Sequence, residues 1–537
     1  MSAKNTLRSV MILPPKELPG FQRSVLSMIA GIAILTNVFA ALSFGQSKSL
    51  PNIVVILADD LGYGDVSAIN PQSKIPTRHI DRIAREGMTF TDAHTSSSVC
   101  SPTRYGLLTG RYNWRTRLQN GVLWGLSLPL IAPDRLTIGG LLQQQGYHTA
   151  AVGKWHLGLQ WQDQQGQVIE DSDRWDPKFK GGERVDFTRP IEQGPITRGF
   201  DYFFGITASL DMPPYVYIEN DRPIVNRLVK KGFNRQGVAD EQFEAVDVLP
   251  KLTEKAVAYL TRRAAHPEQP FFLYLPLTAP HTPIVPTKPW RGKSGLNPYG
   301  DFMLQVDDTV GQVLSALDRL KLTDNTIFIF TSDNGCSPAA KIPQLQAKGH
   351  YPNYIYRGHK ADIFDGGHRV PFLVRWPGKV EPASRSDQLV CLTDILGTVS
   401  EITGHKLNSK TGEDSYSFLS NLVGKSSPSG RTSVVHHSIN GSFAIREGKW
   451  KLNLCPGSGG GSPPRPGRNN LKDLPPVQLY DMQADPSEKI NVYDQHPEIV
   501  KGLRTKLEKL VASGRSTPGS VQTNDAKIEL IKNRNPR

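Results

Sequence analysis

The run Ile53-Val54-Val55-Ile56-Leu57, closed almost at once by Asp59-Asp60, decides how this chain folds. Five consecutive apolar residues, four of them β-branched, read as a strand buried on both faces, as in a parallel sheet covered by helices. The same design returns three times. Thr149 to Val152 leads into Gly153-Lys154-Trp155-His156, Phe271 to Leu277 into Pro280-His281, and Ile327 to Phe330 into Asp333-Asn334. Between them lie stretches with helical spacing: Arg78 to Glu86 and Thr137 to Gln145, each followed by glycine, then Glu254 to Arg263 and Asp301 to Leu320. A glycine just past a helical run is a common C-terminal stop. Strands alternating with helices predict an α/β fold with a large, mostly parallel sheet sandwiched by helices. In such sheets ligand-binding residues collect beyond the carboxyl ends of the strands, and each of these runs delivers polar groups there.

Composition shifts after about Gly404. Lys425 to Gly430 and Cys455 to Gly467 are rich in Ser, Pro and Gly and mark surface loops. Phe443 to Leu454 and Val477 to Asp481 read as β-like pieces, followed by a helix from about Pro497 to Ala512. These predict a smaller C-terminal α+β subdomain over 405–537, beside a main domain over 46–404. From Ser513 onward a surface strand or a disordered tail is expected. At the other end Arg23 precedes the apolar stretch Val25 to Ala41, and Ser43-Phe44-Gly45 suit cleavage before Gln46. That layout predicts a secretory signal peptide over 1–45, with an uncleaved anchor as the rival reading. Export to the periplasm or the cell exterior follows, with no stable membrane anchor expected. A single N-glycosylation sequon, Asn440-Gly441-Ser442, favours a bacterial setting over a lysosomal one.

The 537 residues carry a formal charge of +13. That excess suits nucleic acid, anionic membrane, sulfated or carboxylated glycans, or simple solubility. No compact basic run interleaved with aromatics occurs and no zinc-finger or RNA-binding signature, so nucleic acid is the weakest candidate and no nucleic-acid partner is expected. Four widely spaced cysteines, Cys100, Cys336, Cys391 and Cys455, do not make a disulfide scaffold.

Three groups of residues carry chemistry. Asp59, Asp60, Asp333 and Asn334 offer only oxygen ligands, which suits Ca²⁺ or Mg²⁺ better than Zn²⁺, although each pair alone reads as solvated loop acids. Arg104, Lys154, His156, His281 and Lys360 form a cationic set fit for an oxyanion such as sulfate or phosphate, although loop Lys and Arg taken alone read as solvated charges. Cys100 stands two residues before Pro102, a residue suited to the first turn of a helix, so Cys100 belongs at a helix N-terminus where free N–H groups favour negative charge; taken alone, it reads as a buried thiol ahead of a helix.

The combination resembles the sulfatase family of the alkaline phosphatase superfamily. Ser98-Val99-Cys100-Ser101-Pro102-Thr103-Arg104, running on to Gly110, fits the family's first signature, and Gly146-Tyr147-His148 through Lys154-Trp155-His156 its second. Asp59-Asp60-Leu61-Gly62, Ala279-Pro280-His281, Ser332-Asp333-Asn334-Gly335, Gly358-His359-Lys360 and Gly366-Gly367-His368-Arg369-Val370-Pro371 follow in the family's order, with Asp365 where many members carry Glu. The resemblance implies an alkaline phosphatase-like fold. It also implies that a formylglycine-generating enzyme oxidises Cys100 to formylglycine (3-oxoalanine), whose hydrate attacks sulfur and then releases sulfate by collapsing to the aldehyde. By resemblance Asp59, Asp60, Asp333 and Asn334 bind Ca²⁺, Mg²⁺ being the less favoured ion, with modified Cys100 as a further ligand. Arg104 and Lys154 hold the hydrate, and His156 assists release. His281 and Lys360 grip the sulfate, with His281 as general acid and Asp333 taking the nucleophile's proton. His368 reads as a structural loop histidine. The implied activity is sulfate-ester hydrolysis on a sulfated carbohydrate. The alternatives are phosphonate or phosphodiester hydrolysis, and non-catalytic binding of sulfated glycans. Trp155, Trp161, Trp175, Tyr215 and Tyr217 offer a sugar-stacking wall, with core packing as the competing use of each.

Overall fold

The structure, a computed structural model, describes residues 50–170, 181–425, 430–468 and 471–532. The leader over 1–45 and Trp175 lie outside the described residues. Four parallel strands, β1 (Asn52–Asp59), β2 (His148–Lys154), β3 (Phe271–Pro280) and β4 (Thr326–Ser332), stand in the order β4-β1-β3-β2 at the centre of a ten-stranded sheet. Tyr202–Ile206 continues the parallel array beyond β2, and Tyr217–Glu219 and Arg222–Ile224 close that side as antiparallel strands. On the other side Phe372–Arg375 lies antiparallel to β4, followed by Met88–Phe90 and Ser384–Ser386. The α/β fold expected from the apolar runs is the one observed.

Strand alternation divides the apolar residues of β1 between two cores. Ile53, Val55 and Leu57 join a layer with Tyr105, Leu107 and Leu108 of α1 (Cys100–Thr109). Val54, Ile56 and Ala58 face α2 (Ala245–Ala264) and α3 (Pro298–Arg319) through Val248, Leu252, Ala256, Phe302, Val306 and Val310. α2 begins nine residues before the expected Glu254, running through Pro250. That proline is exposed, while Val248, Leu249 and Leu252 are buried, so core burial carries the first turns past the missing N–H. α3 also starts early, because Asn297 caps it by accepting from the Tyr299 and Gly300 N–H groups at 3.1 and 3.3 Å.

The C-terminal part builds a four-stranded antiparallel sheet, Ser433–His437, Phe443–Glu447, Trp450–Asn453 and Gln478–Asp481. α4 (Pro497–Ala512) buries Leu503 and Leu507 against Val435, Ile445, Leu452 and Trp114. Beyond Ser513 the described chain forms neither the surface strand nor the loose tail expected. It is irregular but tied down: Arg111 holds Asp525 and the Thr523 carbonyl, and Arg115 holds Asn524 at 2.9 Å. The pinning groups lie some 400 residues away in sequence, where no local pattern announces them. All four cysteines are buried and unpaired. Among the described residues no helix is long and apolar enough to cross a membrane.

The two sheets meet over charged and imidazole groups. Buried Arg431 pairs with Asp394, and buried Lys451 bridges Asp365 and Glu488 at 2.8 Å each. Beside Lys451 the His368 and His436 rings stack with centroids 3.7 Å apart, and His94 reaches His368 at 3.1 Å. His368, expected in a loop, closes the short helix Asp365–His368 and is buried at this seam. Burial, with help from His94 and Lys451, holds His436 well below its ordinary 6.5. A depressed histidine contributes stability that is present above pH 6.5 and lost as pH falls below it, because only the unfolded chain takes up the proton there. His436→Gln is therefore expected to flatten the fall in unfolding free energy below pH 6.5, by up to about 1.4 kcal/mol per pH unit. Denaturant titrations at pH 5.0, 6.0 and 7.5 check this; equal slopes in both proteins would remove His436 from the account.

Candidate active site

All four central strands end at one edge, and their termini build the site. β1 delivers Asp59 and Asp60, β4 is followed by Asp333 and Asn334, β3 by His281, and β2 ends on Lys154 with His156 two residues on. Asp60 and His156 adopt φ of 69° and 56°. Non-glycine residues in this left-handed region cost about 1–3 kcal/mol and cluster where function fixes the backbone. Gly153 precedes Lys154 with φ 144°, and a Cβ there would sit 1.9 Å from the Pro276 carbonyl oxygen. No residue with a side chain fits, which is why glycine stands before the lysine.

α1 opens at Cys100, so Cys100 and Arg104 lie one turn apart on the same helix face. Cys100 Sγ approaches Asp59 Oδ1 at 3.7 Å. Arg104 donates to Asp333 Oδ2 through Nε and Nη2 at 3.1 and 2.8 Å, and to the Lys154 carbonyl at 2.9 Å. Lys154 Nζ donates to Asp59 Oδ2 at 2.7 Å, and Lys360 Nζ lies 2.7 Å from Asp60 Oδ1 and 2.9 Å from Oδ2. His281 Nε2 stands 3.7 Å from Asp60 Oδ2, its Nδ1 donating to the Thr282 carbonyl at 2.6 Å. All ten residues singled out in the sequence meet here.

Three carboxylates thus face three permanent cations, nearly all out of water. Burial pushes the Asp59 carboxyl up, but Lys154, His281, Arg104 and Lys360 outweigh it and hold it well below the usual carboxylate range. Asp333 goes the other way, to about 6, through burial and repulsion from Asp59 that Arg104 and Lys154 only partly offset. Burial pushes the Cys100 thiol up to about 12, so the unmodified side chain holds its proton at neutral pH. His156 is held well below 6.5 by burial and by Lys154 and Arg104. Its Nε2 lies 2.8 Å from the Leu123 carbonyl, which can only accept, so the neutral ring carries its proton there. Nδ1 is then a lone pair, buried and without a partner.

The oxygen set fits a hard divalent cation on one further observation. Asn334 spends its Nδ2 on Asp60 Oδ1 and the Gly335 carbonyl, leaving Oδ1 buried with no donor. A stranded acceptor among three carboxylates is what a cation would satisfy.

The sulfatase family profile matches residues 51–405. The chain belongs to the sulfatase family. An N-acetylgalactosamine-6-O-sulfatase of Bacteroides thetaiotaomicron is 36% identical to it over 90% of this chain and 98% of its own length. Arylsulfatase A of Bos taurus is 31% identical over 87% and 88%. Among solved structures, one from Bacteroides thetaiotaomicron, reported with the metabolism of multiple glycosaminoglycans, superimposes with a TM-score of 0.73 at 32% identity, covering 86% of this chain and 99% of that one. A phosphonate monoester hydrolase of Agrobacterium radiobacter shares the fold at 17% identity, with a TM-score of 0.55 over 86% and 96%. This sulfatase is therefore a sulfuric ester hydrolase of an alkaline phosphatase-like fold, in a family that generally uses formylglycine and a divalent metal.

The supporting groups of this sulfatase escaped the sequence. Asp65 accepts from Tyr299 and His350 and from the Gly62 N–H at 2.8 Å, fixing the turn after Asp60. Ser332 Oγ accepts from the Leu61 N–H at 3.1 Å. Trp155, Trp161 and Tyr215 are almost wholly buried and Trp155 Nε1 is spent on the Gly158 carbonyl, so these three take the core use and form no wall.

Proposed function

We propose that this sulfatase hydrolyses the sulfate ester of a sulfated carbohydrate, using formylglycine made from Cys100 and a Ca²⁺ ion held by Asp59, Asp60, Asp333 and Asn334. The observation that carries the reading is the meeting of an oxygen-only cation set with Arg104, Lys154, His281 and Lys360 around Cys100. When bound, the cation supplies positive charge beside the nucleophile and a sulfate oxygen, and the hydrate supplies the attacking oxygen. Lys154 and Arg104 hold the group at position 100 in line and keep Asp59 and Asp333 ionised. Lys360, the most exposed of the cations, grips the incoming sulfate together with His281. His281, with Nδ1 spent on Thr282, presents Nε2 to the pocket, from where a proton passes to the leaving oxygen. His156 offers its Nδ1 lone pair to the proton lost in the release step. A sulfated sugar is favoured by the positive charge of the chain and by the substrate named for the Bacteroides relative.

Turnover of 6-O-sulfated N-acetylgalactosamine, an aryl sulfate, a phosphodiester and a phosphonate by one preparation tests this. Sulfate esters are expected to be preferred; a strong preference for phosphorus would overturn the proposal. Metal dependence gives a second check. Asp333 must shed its proton to bind the cation, so Ca²⁺ affinity of chelator-stripped protein is expected to weaken about tenfold per pH unit below 6. Calcium titrations at pH 5.0, 6.0 and 7.5 measure it, and a pH-independent affinity would take Asp333 out of the ligand set.

A further inference from the structure

One cavity takes no part in the steps above. It measures about 590 Å³ and opens in the C-terminal part, between α4, the loop after Cys455 and the segment Glu529 to Lys532. Sites for small molecules usually span roughly 300–1,000 Å³. Its walls are largely apolar, with Leu454, Pro456, Pro466, Val477 and Tyr493 among them. Tyr493 is half-buried, and its hydroxyl has no partner among the described residues. The charged groups in the lining are two cations and one carboxylate. Arg504 pairs with Glu508 at 3.0 Å. Lys532 makes no hydrogen bond or ion pair among the described residues, and Glu529 pairs with neither cation. Burial holds the pKa of the Lys532 ammonium below its ordinary 10.5, against the opposing pull of Glu529. Asn440 adds a directed donor. Its Oδ1 accepts from Ser438 Oγ at 2.7 Å and from the Ser442 N–H at 3.0 Å, which leaves both Nδ2 N–H groups uncommitted among the described residues.

The same wall reaches the active site. Asn440 follows Ile439, whose N–H donates to the Ala361 carbonyl at 3.0 Å, and Ala361 follows Lys360. Gly459, also in the lining, precedes Gly460, where a Cβ would fall 2.2 Å from that carbonyl oxygen. The turn at Asn440 and the run at Gly459 thus line the cavity and pack on the Lys360 loop as well.

We propose that this cavity is a second carbohydrate site, which takes a negatively charged pyranose of a glycan chain other than the one bearing the scissile ester. The inference rests on the sulfated-carbohydrate reading above. Tyr493 and the prolines offer flat apolar surface to the C–H face of a ring, and the Asn440 amide donates to a hydroxyl. Lys532 supplies the charge. A half-buried ammonium with no counter-ion gains more from an anion than an exposed one does, because water and salt screen it less. A neutral sugar would leave that ammonium uncompensated, and an acyl chain would also bury the Asn440 amide without a partner. The anion is a ring carboxylate or a second sulfate, whose oxygens accept from Lys532 in the same way. A chain held here stays beside the loop that carries Lys360.

Calorimetry on the full chain tests this with an unsulfated tetrasaccharide of alternating glucuronate and N-acetylgalactosamine, which has no ester to hydrolyse, and with its neutral, carboxyl-reduced form. The glucuronate chain is expected to bind wild type, and to bind about tenfold more weakly in Lys532→Ala and in Tyr493→Ala, with Lys532→Arg close to wild type. The neutral chain is expected to lose a similar factor in wild type. The neutral chain carrying 4-O-sulfate, titrated into Cys100→Ala protein, tells the two anions apart: affinity regained through Lys532 admits sulfate, and affinity not regained assigns the site to carboxylates. Unchanged kcat/KM for an aryl sulfate in the Lys532 and Tyr493 variants reports an intact fold. Equal affinity for charged and neutral chains, or affinity unchanged in folded Lys532→Ala and Tyr493→Ala, would overturn the site. So would binding only by a variant lacking residues 533–537, which would make those residues the occupant. If wild type binds the glucuronate chain through Lys532 but cleaves no sulfated sugar, the substrate reading falls and the site stands. If sulfated sugars are cleaved and neither chain binds, the site falls alone.

Discussion

Cys100→Ala is expected to lower sulfate-ester turnover by about 10⁴-fold or more while leaving the fold intact. The side chain is buried at the first position of α1, and replacing a small thiol with a methyl group there removes little packing. What it removes, on the proposed mechanism, is the precursor of the nucleophile. The unmodified thiol cannot substitute, because burial keeps it protonated near neutral pH. Cys100→Ser is the sharper variant. It offers a hydroxyl in the same place but no second oxygen on the same carbon, so it is expected to stop after at most one turnover. Steady-state rates with the preferred sulfate ester, and mass spectrometry of the Cys100 peptide in active wild type, check both halves. An unmodified thiol in fully active enzyme, or more than about 1% of wild-type rate in Cys100→Ala, would rule the mechanism out.

The site was legible because its residues are local to strand ends. Ile53 to Leu57 announces β1, and its end fixes where Asp59 and Asp60 must lie; the same holds for Lys154, His281 and Asp333. The spacing of Cys100 and Arg104 likewise needs only the pitch of one helix. What stayed hidden depends on partners far along the chain. Asp65 matters because Tyr299 and His350 reach it, 234 and 285 residues away. The helix expected from Glu254 begins at Ala245, because Val248 and Leu252 enter the core facing β1. The segment after Ser513 reads as a tail until Arg111 and Arg115 hold it.

Asp59→Asn is expected to reduce activity by about 10³-fold or more and to cost about 3–5 kcal/mol of stability, the second effect being separable from the first. The substitution keeps the shape of the side chain and removes one negative charge from a balanced set. Lys154, fully buried and 2.7 Å from that carboxylate, is left as a cation facing an amide. Arg104 loses a partner 3.7 Å away but keeps Asp333. Asp333, freed from the repulsion that helped raise it toward 6, ionises more readily, yet Asp60 and Asp333 alone do not replace three carboxylates in the proposed cation set. The double variant Asp59→Asn/Lys154→Met removes the stranded charge along with its partner. It should recover most of the lost stability, because a buried ion pair exchanged for apolar packing is often neutral in folding. It should recover none of the turnover, since the proposed cation ligand and the lysine proposed to hold position 100 are both gone. Thermal unfolding and steady-state rates on the three variants close this cycle. Recovery of activity together with stability would mean that Asp59 and Lys154 serve only to hold the strand ends together, and the catalytic roles given to them would fall.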